Sequence, residues 1–210
     1  MLVVDKLTCV RGDRRLFEDL SFTLNAGELL YLRGHNGSGK TSLMNCLCGL
    51  IAAESGEIRF NGKSTRAEYD EFCRELLYIG HKSGTKDDLT ATENLRFCQQ
   101  LGRAPVSVDA ADSALARMGL RGFEDLPTRT LSQGQRRRVA LARLLLSDAR
   151  LWVLDEPFTA LDVDAVEQLR DTLRAHLDGG GLVVLSTHQD VDISERVVEL
   201  QLGRSGGRDD

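Results

Sequence analysis

The stretch "LLYLRGHNGSGKTSLMNCL", Leu29 to Leu47, decides the fold. An apolar run of strand length enters a glycine-rich turn, and residues of helical character follow. Gly34, Gly39, Lys40 and Thr41 take the fixed positions of G-x-x-x-x-G-K-[ST], with Gly37 inside the turn. In such a turn successive main-chain amides converge on a phosphate chain, and the helix behind adds the positive end of its dipole. Gly34, His35, Asn36, Gly37, Ser38 and Gly39 are the expected cradle, with Ser42 in the first helical turn. Lys40 supplies a charge toward the outer phosphates. Thr41 offers a hydroxyl to Mg²⁺, an ion that keeps several waters and takes few protein ligands.

Two further apolar runs end in chemistry. "LWVLDEP", Leu151 to Pro157, reads as a buried strand with two acids at its carboxyl end, the edge where open α/β sheets place ligands. Asp155 is the expected contact to the metal's hydration shell, and Glu156 the residue that orients and deprotonates the attacking water. Phosphoryl transfer is mostly positioning and charge stabilisation, so few residues suffice. "LVVLSTH", Leu182 to His188, ends on the same edge, and His188 is read as a γ-phosphate contact rather than a structural or surface histidine.

Around these runs the chain divides by character. The first sixty residues are strand-rich and broken by the turns "NAG", "ESG" and "NG". From about Thr85 to Leu146 the pattern is helical: Thr90 and Glu93 form a candidate cap, and "SVDAADSALARMGL" closes at Gly119. Between the last two strand runs, Val166, Leu169, Leu173 and Leu177 set an apolar stripe on a helix. Strand, helix and strand in this order predict an α/β fold with a parallel sheet and an inserted helical lobe. The expected division is a single domain over 1–210, with a core at about 1–84 and 147–204, the lobe at about 85–146, and a disordered tail at 205–210.

At 210 residues with 41% hydrophobic and 28% charged, the chain can bury a sizeable core. Its net charge of −5 argues against nucleic acid as a partner. No apolar run approaches the roughly 20 residues that span a bilayer. The start, "MLVVDKLTCV", lacks signal-peptide character. The five cysteines show no paired metal spacing and read as reduced, buried or half-buried thiols.

"LSQGQRRRVA", Leu131 to Ala140, opens a helix with a capping box made by Ser132 and Gln135. Arg136, Arg137 and Arg138 are expected on a mostly solvated face. In order, the phosphate loop, "LSQGQ", "LWVLDE", "TALD" and "STH" resemble the ATP-binding subunits of ABC transporters over nearly the whole chain. That resemblance implies a P-loop NTPase core of the RecA-like kind, an N-terminal antiparallel β subdomain and the inserted lobe. It also implies ATP with Mg²⁺, hydrolysis, and a head-to-tail dimer in which each signature helix caps the nucleotide held by the other copy. Ser132, Gln133, Gly134, Gln135 and Asp162 then contact the partner chain's ATP.

Two positions depart from the family pattern. Where the family carries a glutamine that touches metal and water, "LLYIGH" ends in His81, which either substitutes for it as a metal ligand or leaves the place to water. Where an aromatic stacks on adenine, the chain offers Arg11, whose guanidinium can stack on a ring; an exposed loop arginine is the equal alternative. "LSFTLNAGELLYLRGHNGSGKTSLM", "LLYIGHKSGTKDDLTATENLRF" and "LWVLDEPFTALD" most resemble the haem-exporter ATP-binding subunits of cytochrome c biogenesis. This implies a peripheral ATPase on the cytoplasmic face of a bacterial inner membrane, working with separate transmembrane subunits. Lys86, Leu89 and Phe97 mark the expected contact surface, with Phe97 leaning toward lobe core. The alternatives are a transporter of another cargo, a soluble ATPase of this type acting on nucleic acid or ribosomes, and a small-molecule kinase.

Overall fold

A computed structural model describes residues 1–100, 105–187 and 191–203. His188 and the tail 205–210 lie outside the described residues. In chain order the strands are β1 (Leu2–Arg11), β2 (Arg14–Leu24), β3 (Leu29–Arg33), β4 (Ser55–Phe60), β5 (Lys63–Ser64), β6 (Leu76–Ile79), β7 (Leu151–Asp155), β8 (Leu182–Ser186) and β9 (Val197–Gln201). The helices are α1 (Lys40–Leu47), α2 (Tyr69–Glu75), α3 (Ala91–Gln100), α4 (Val108–Arg117), α5 (Gln133–Ala142) and α6 (Val163–Asp178).

The strands form two sheets. One runs β2-β1-β4-β5 and is antiparallel; the other runs β6-β7-β8-β3-β9 and is parallel. The continuous apolar runs of β3, β7 and β8 are explained by burial on both faces, as parallel sheets require. Leu30, Leu32, Val153 and Val184 face one way, onto α1 and the antiparallel sheet. Leu29, Tyr31, Trp152, Leu154, Val183 and Leu185 face the other way, onto α3 to α6. Each fully buried leucine contributes roughly 1.5–3 kcal/mol, so the central sheet is the main store of hydrophobic free energy.

Local signals set the helix ends. Ser107 caps α4, and Gly119 ends that segment with φ +70°. Thr90 and Glu93 exchange hydrogen bonds of 3.1 and 2.8 Å ahead of α3, the capping box read from the sequence. The stripe on α6 is buried at Leu169, Leu173 and Leu177, with Ala165 added and Val166 half-buried against the same core. Among the described residues no helix is long and apolar enough to cross a membrane. The five cysteines are free, and Cys73 on α2 is exposed rather than buried or half-buried as expected; burial, with Cys9 beside it, pushes the Cys46 thiol up to about 12.

Two expectations need correction. Phe97 is 37% exposed rather than lobe core, because α3 turns Ala91 and Leu95 inward and leaves Phe97 on the opposite side. The arginines after the signature motif do not make a solvated face. Arg137 is only 4% exposed, and Arg138 lies 3.8 Å from the Asp162 carboxylate. Charge spacing alone reads as solvated; burial came from carbonyls far away in sequence.

Candidate active site

β3 delivers the chain to the phosphate loop, and α1 leaves it. Gly34 has φ +147°, and a Cβ there would sit 2.5 Å from Ser38 Oγ and 2.7 Å from the Leu202 carbonyl, so no side chain fits. Leu202 reaches this place because its N–H donates to Arg33 O at 2.8 Å, just past β9. α1 starts after Gly39 with no side-chain cap, which leaves its first amides for an anion. Lys40 Nζ donates to Gly34 O at 2.7 Å and to His35 O at 3.3 Å, so the ammonium is held over the cradle.

The carboxyl ends of β7 and β8 build the other half. Asp155 is 3% exposed; its two oxygens accept from Thr41 Oγ1 at 2.9 Å and from Ser186 Oγ at 2.6 Å. Glu156 follows with φ +51°, a left-handed backbone that costs a residue with a Cβ about 1–2 kcal/mol. Its N–H donates to both Ser186 Oγ and Ser186 O, at 3.0 and 3.1 Å. Sequence reasoning gives Ser186 no role; its one available signal is a small hydroxyl ending a buried apolar strand. Tyr78 on β6 is held protonated, pushed up to about 12 by burial first and by the Asp155 charge second.

A cleft of about 650 Å³ opens over these groups. Asn36, Gly37, Gly39, Lys40, Thr41 and Ser42 form its floor, Asp155, Glu156, Thr159 and His81 one wall, and Arg11 with Leu16 another. Gly34, His35 and Ser38 belong to the loop but do not line the cleft. His81 is exposed just past β6, and Arg11 is exposed at the end of β1, before the Gly12 turn.

Ser132, Gln133, Gly134, Gln135 and Asp162 do not line this cleft. Ser132 Oγ accepts from Gln135 N at 3.2 Å and Gln135 Oε1 accepts from Ser132 N at 2.8 Å, so the capping box is intact on an exposed helix end. Gly134 has a reason internal to the chain: a Cβ there would meet the Ala160 carbonyl at 2.5 Å. Asp162 caps α6, accepting from Ala165 N at 2.9 Å. The residue that sequence reasoning missed most is Arg137. Its guanidinium donates to Gly80 O at 2.8 Å, Asp155 O at 2.8 Å, Glu156 O at 2.9 Å and Pro157 O at 3.4 Å.

Comparison with known proteins agrees with this geometry. The family described as ABC transporter matches residues 17–159. The cytochrome c biogenesis ATP-binding export protein CcmA of Dechloromonas aromatica is 52% identical over 204 residues, covering 97% of this chain and 100% of that protein. Its counterpart in Escherichia coli O157:H7 is 48% identical over 195 residues, covering 93% and 92%. Among solved structures, a dimeric ATP-binding cassette in a post-hydrolysis state with ADP and Pi superposes with a TM-score of 0.84 at 24% identity, covering 97% of each chain. An ATP-binding subunit of an ABC transporter gives 0.79 at 26% identity, covering 89% of this chain and 79% of that one. A phosphate cradle joined to a buried aspartate and a following glutamate, on a cassette fold, is the equipment of ATP hydrolysis. The chain belongs to the ABC transporter family of ATPases, in the group of cytochrome c biogenesis ATP-binding export proteins.

Proposed function

We propose that this ATPase works on the cytoplasmic face of a bacterial inner membrane and supplies the energy for haem delivery to cytochrome c maturation. It docks there on separate membrane-spanning subunits. The names of its relatives support the process. The observation that carries the reading is the Thr41–Asp155–Ser186 chain of hydrogen bonds, with Glu156 next to it over the cleft. In this reading the loop amides and Lys40 bind the phosphates of ATP, and Glu156 orients the attacking water and takes its proton. His188 contacts the γ-phosphate. Arg11 stands on the wall where the base would lie, and His81 where the family carries glutamine.

The donor set fits Mg²⁺. Thr41 and Asp155 offer only hard oxygens, and among the described residues no group of three or more His, Cys, Asp or Glu would hold a metal by itself. Thr41 and Asp155 would therefore hold an ion that arrives with the nucleotide. Bound there, it would supply positive charge against the negative charge that develops as the phosphoryl group is transferred.

The signature residues lie outside their own cleft, which supports a second copy as their client. Two chains head to tail would bring the amides at the N-terminus of α5, with Ser132, Gln133, Gly134, Gln135 and Asp162 around it, to the partner's γ-phosphate. Each charge-assisted hydrogen bond made there contributes roughly 1.5–3 kcal/mol and is lost when that phosphate leaves, so hydrolysis opens the dimer. The lobe at about 85–146 would carry this motion to the membrane subunits.

The test is complementation. A bacterium lacking its own homologue, given this chain and its membrane subunits, regains covalently bound haem in its c-type cytochromes, and the Glu156→Gln variant does not restore it. Normal cytochrome haem without the chain, with loss of an unrelated uptake instead, would reassign the cargo.

A further inference from the structure

Arg137 is buried on α5, and its hydrogen bonds run to main-chain carbonyls. Three of those carbonyls, from Asp155, Glu156 and Pro157, are consecutive and converge on one guanidinium. In an extended strand successive carbonyls point to alternate sides. Here the chain instead curls round the cation, and the middle residue of the curl, Glu156, has φ +51°. The fourth carbonyl, Gly80, belongs to the turn that carries His81 at the end of β6. A planar fork with five N–H donors can serve two such strand ends at once; an ammonium of the same charge cannot hold that geometry. The charge itself is compensated by the nearby Asp155 and Glu156 carboxylates, which oppose the larger effect of burial on Arg137.

We propose that Arg137 is a positioning residue for hydrolysis: through the Asp155, Glu156 and Pro157 carbonyls it sets the backbone turn that aims the Glu156 carboxylate, and through Gly80 it ties that turn to the His81 strand end. The guanidinium sits on the helix that Ser132 caps and whose first turn carries Gly134. The placement of Glu156 therefore depends on how α5 is seated against the core. The inference rests on the proposed role of Glu156 in activating water.

The experiment is a double-mutant cycle on the full chain with Mg-ATP, measuring kcat, KM and nucleotide affinity. Arg137→Gln is expected to lower kcat by about 10²-fold, the scale of a misplaced catalytic group, while KM and ATP affinity stay within about twofold. Arg137→Lys, which keeps the charge and loses the fork, falls between the two. In a Glu156→Gln background, adding Arg137→Gln is expected to change the residual rate by no more than about twofold, because residues acting through one another are not additive. A full multiplicative loss in the double variant, or kcat and KM changing together, would overturn the positioning role and leave the Glu156 assignment standing. Full hydrolysis by Glu156→Gln alone would remove both. If Arg137→Gln does not fold, as read from its melting curve, Arg137→Lys carries the same cycle, and the same results support or overturn the role.

Discussion

Removing the Ser186 hydroxyl takes one hydrogen bond from Asp155 and one from the Glu156 N–H, at a place where both groups are shielded from water. Ser186→Ala is therefore expected to cost about 1–3 kcal/mol of stability and to lower kcat more than it weakens ATP binding; denaturant midpoints and steady-state kinetics check both. Lys40→Ala acts on the opposite half of the cleft. It removes the charge held over the cradle, and calorimetry is expected to show ATP affinity falling at least tenfold while the melting temperature barely moves. These two residues also mark how far local spacing reaches. Lys40 stands in a spaced motif whose chemistry is local, so its place is legible in the sequence. Ser186 and Arg137 act through carbonyls and carboxylates from distant strand ends, and no spacing along one chain encodes such a meeting.

Elements are easier to read than contacts. The strand runs, the capping boxes before α3 and α5, and the α6 stripe all follow from local periodicity and hydrogen-bond geometry. β9, α2 and the seat of α5 on Ala160 do not, since each depends on what it packs against. That seat is tight: Gly134→Ala forces a methyl toward the Ala160 carbonyl and is expected to cost about 1–3 kcal/mol by denaturant melting. At the junction of β7 and α6, His176 stacks on Trp152 with ring centroids 3.6 Å apart and planes at 6°. Burial holds the His176 pKa below its usual value, against the weaker opposing pull of the Arg150 and Leu182 main chain. The unfolded chain thus takes up a proton at higher pH than the folded one. Stability is complete above the unfolded value of about 6.5 and is lost as pH falls from there through the folded value. Urea midpoints followed by the fluorescence of Trp152, the single tryptophan of the chain, should fall between about pH 7.5 and 5.5, and His176→Phe should flatten that slope.

For the whole molecule, the decisive fact is that the signature end of α5 lies outside the cleft of its own chain. Glu156→Gln is expected to accumulate an ATP-dependent dimer, and adding Ser132→Arg to abolish it while leaving ATP binding by the single chain intact, as read by light scattering with and without Mg-ATP. Dimerisation unchanged by Ser132→Arg would separate the motif from the interface. The Leu202 carbonyl backing Gly34 has a consequence of a different kind. The wall behind the phosphate loop is made by residues that a ribosome adds about 170 positions after the loop itself. A nascent chain lacking β9 has the whole nucleotide motif but no backing for it. Chains truncated before β9 are therefore expected to bind ATP far more weakly than the full chain, as titration of a fluorescent ATP analogue would read.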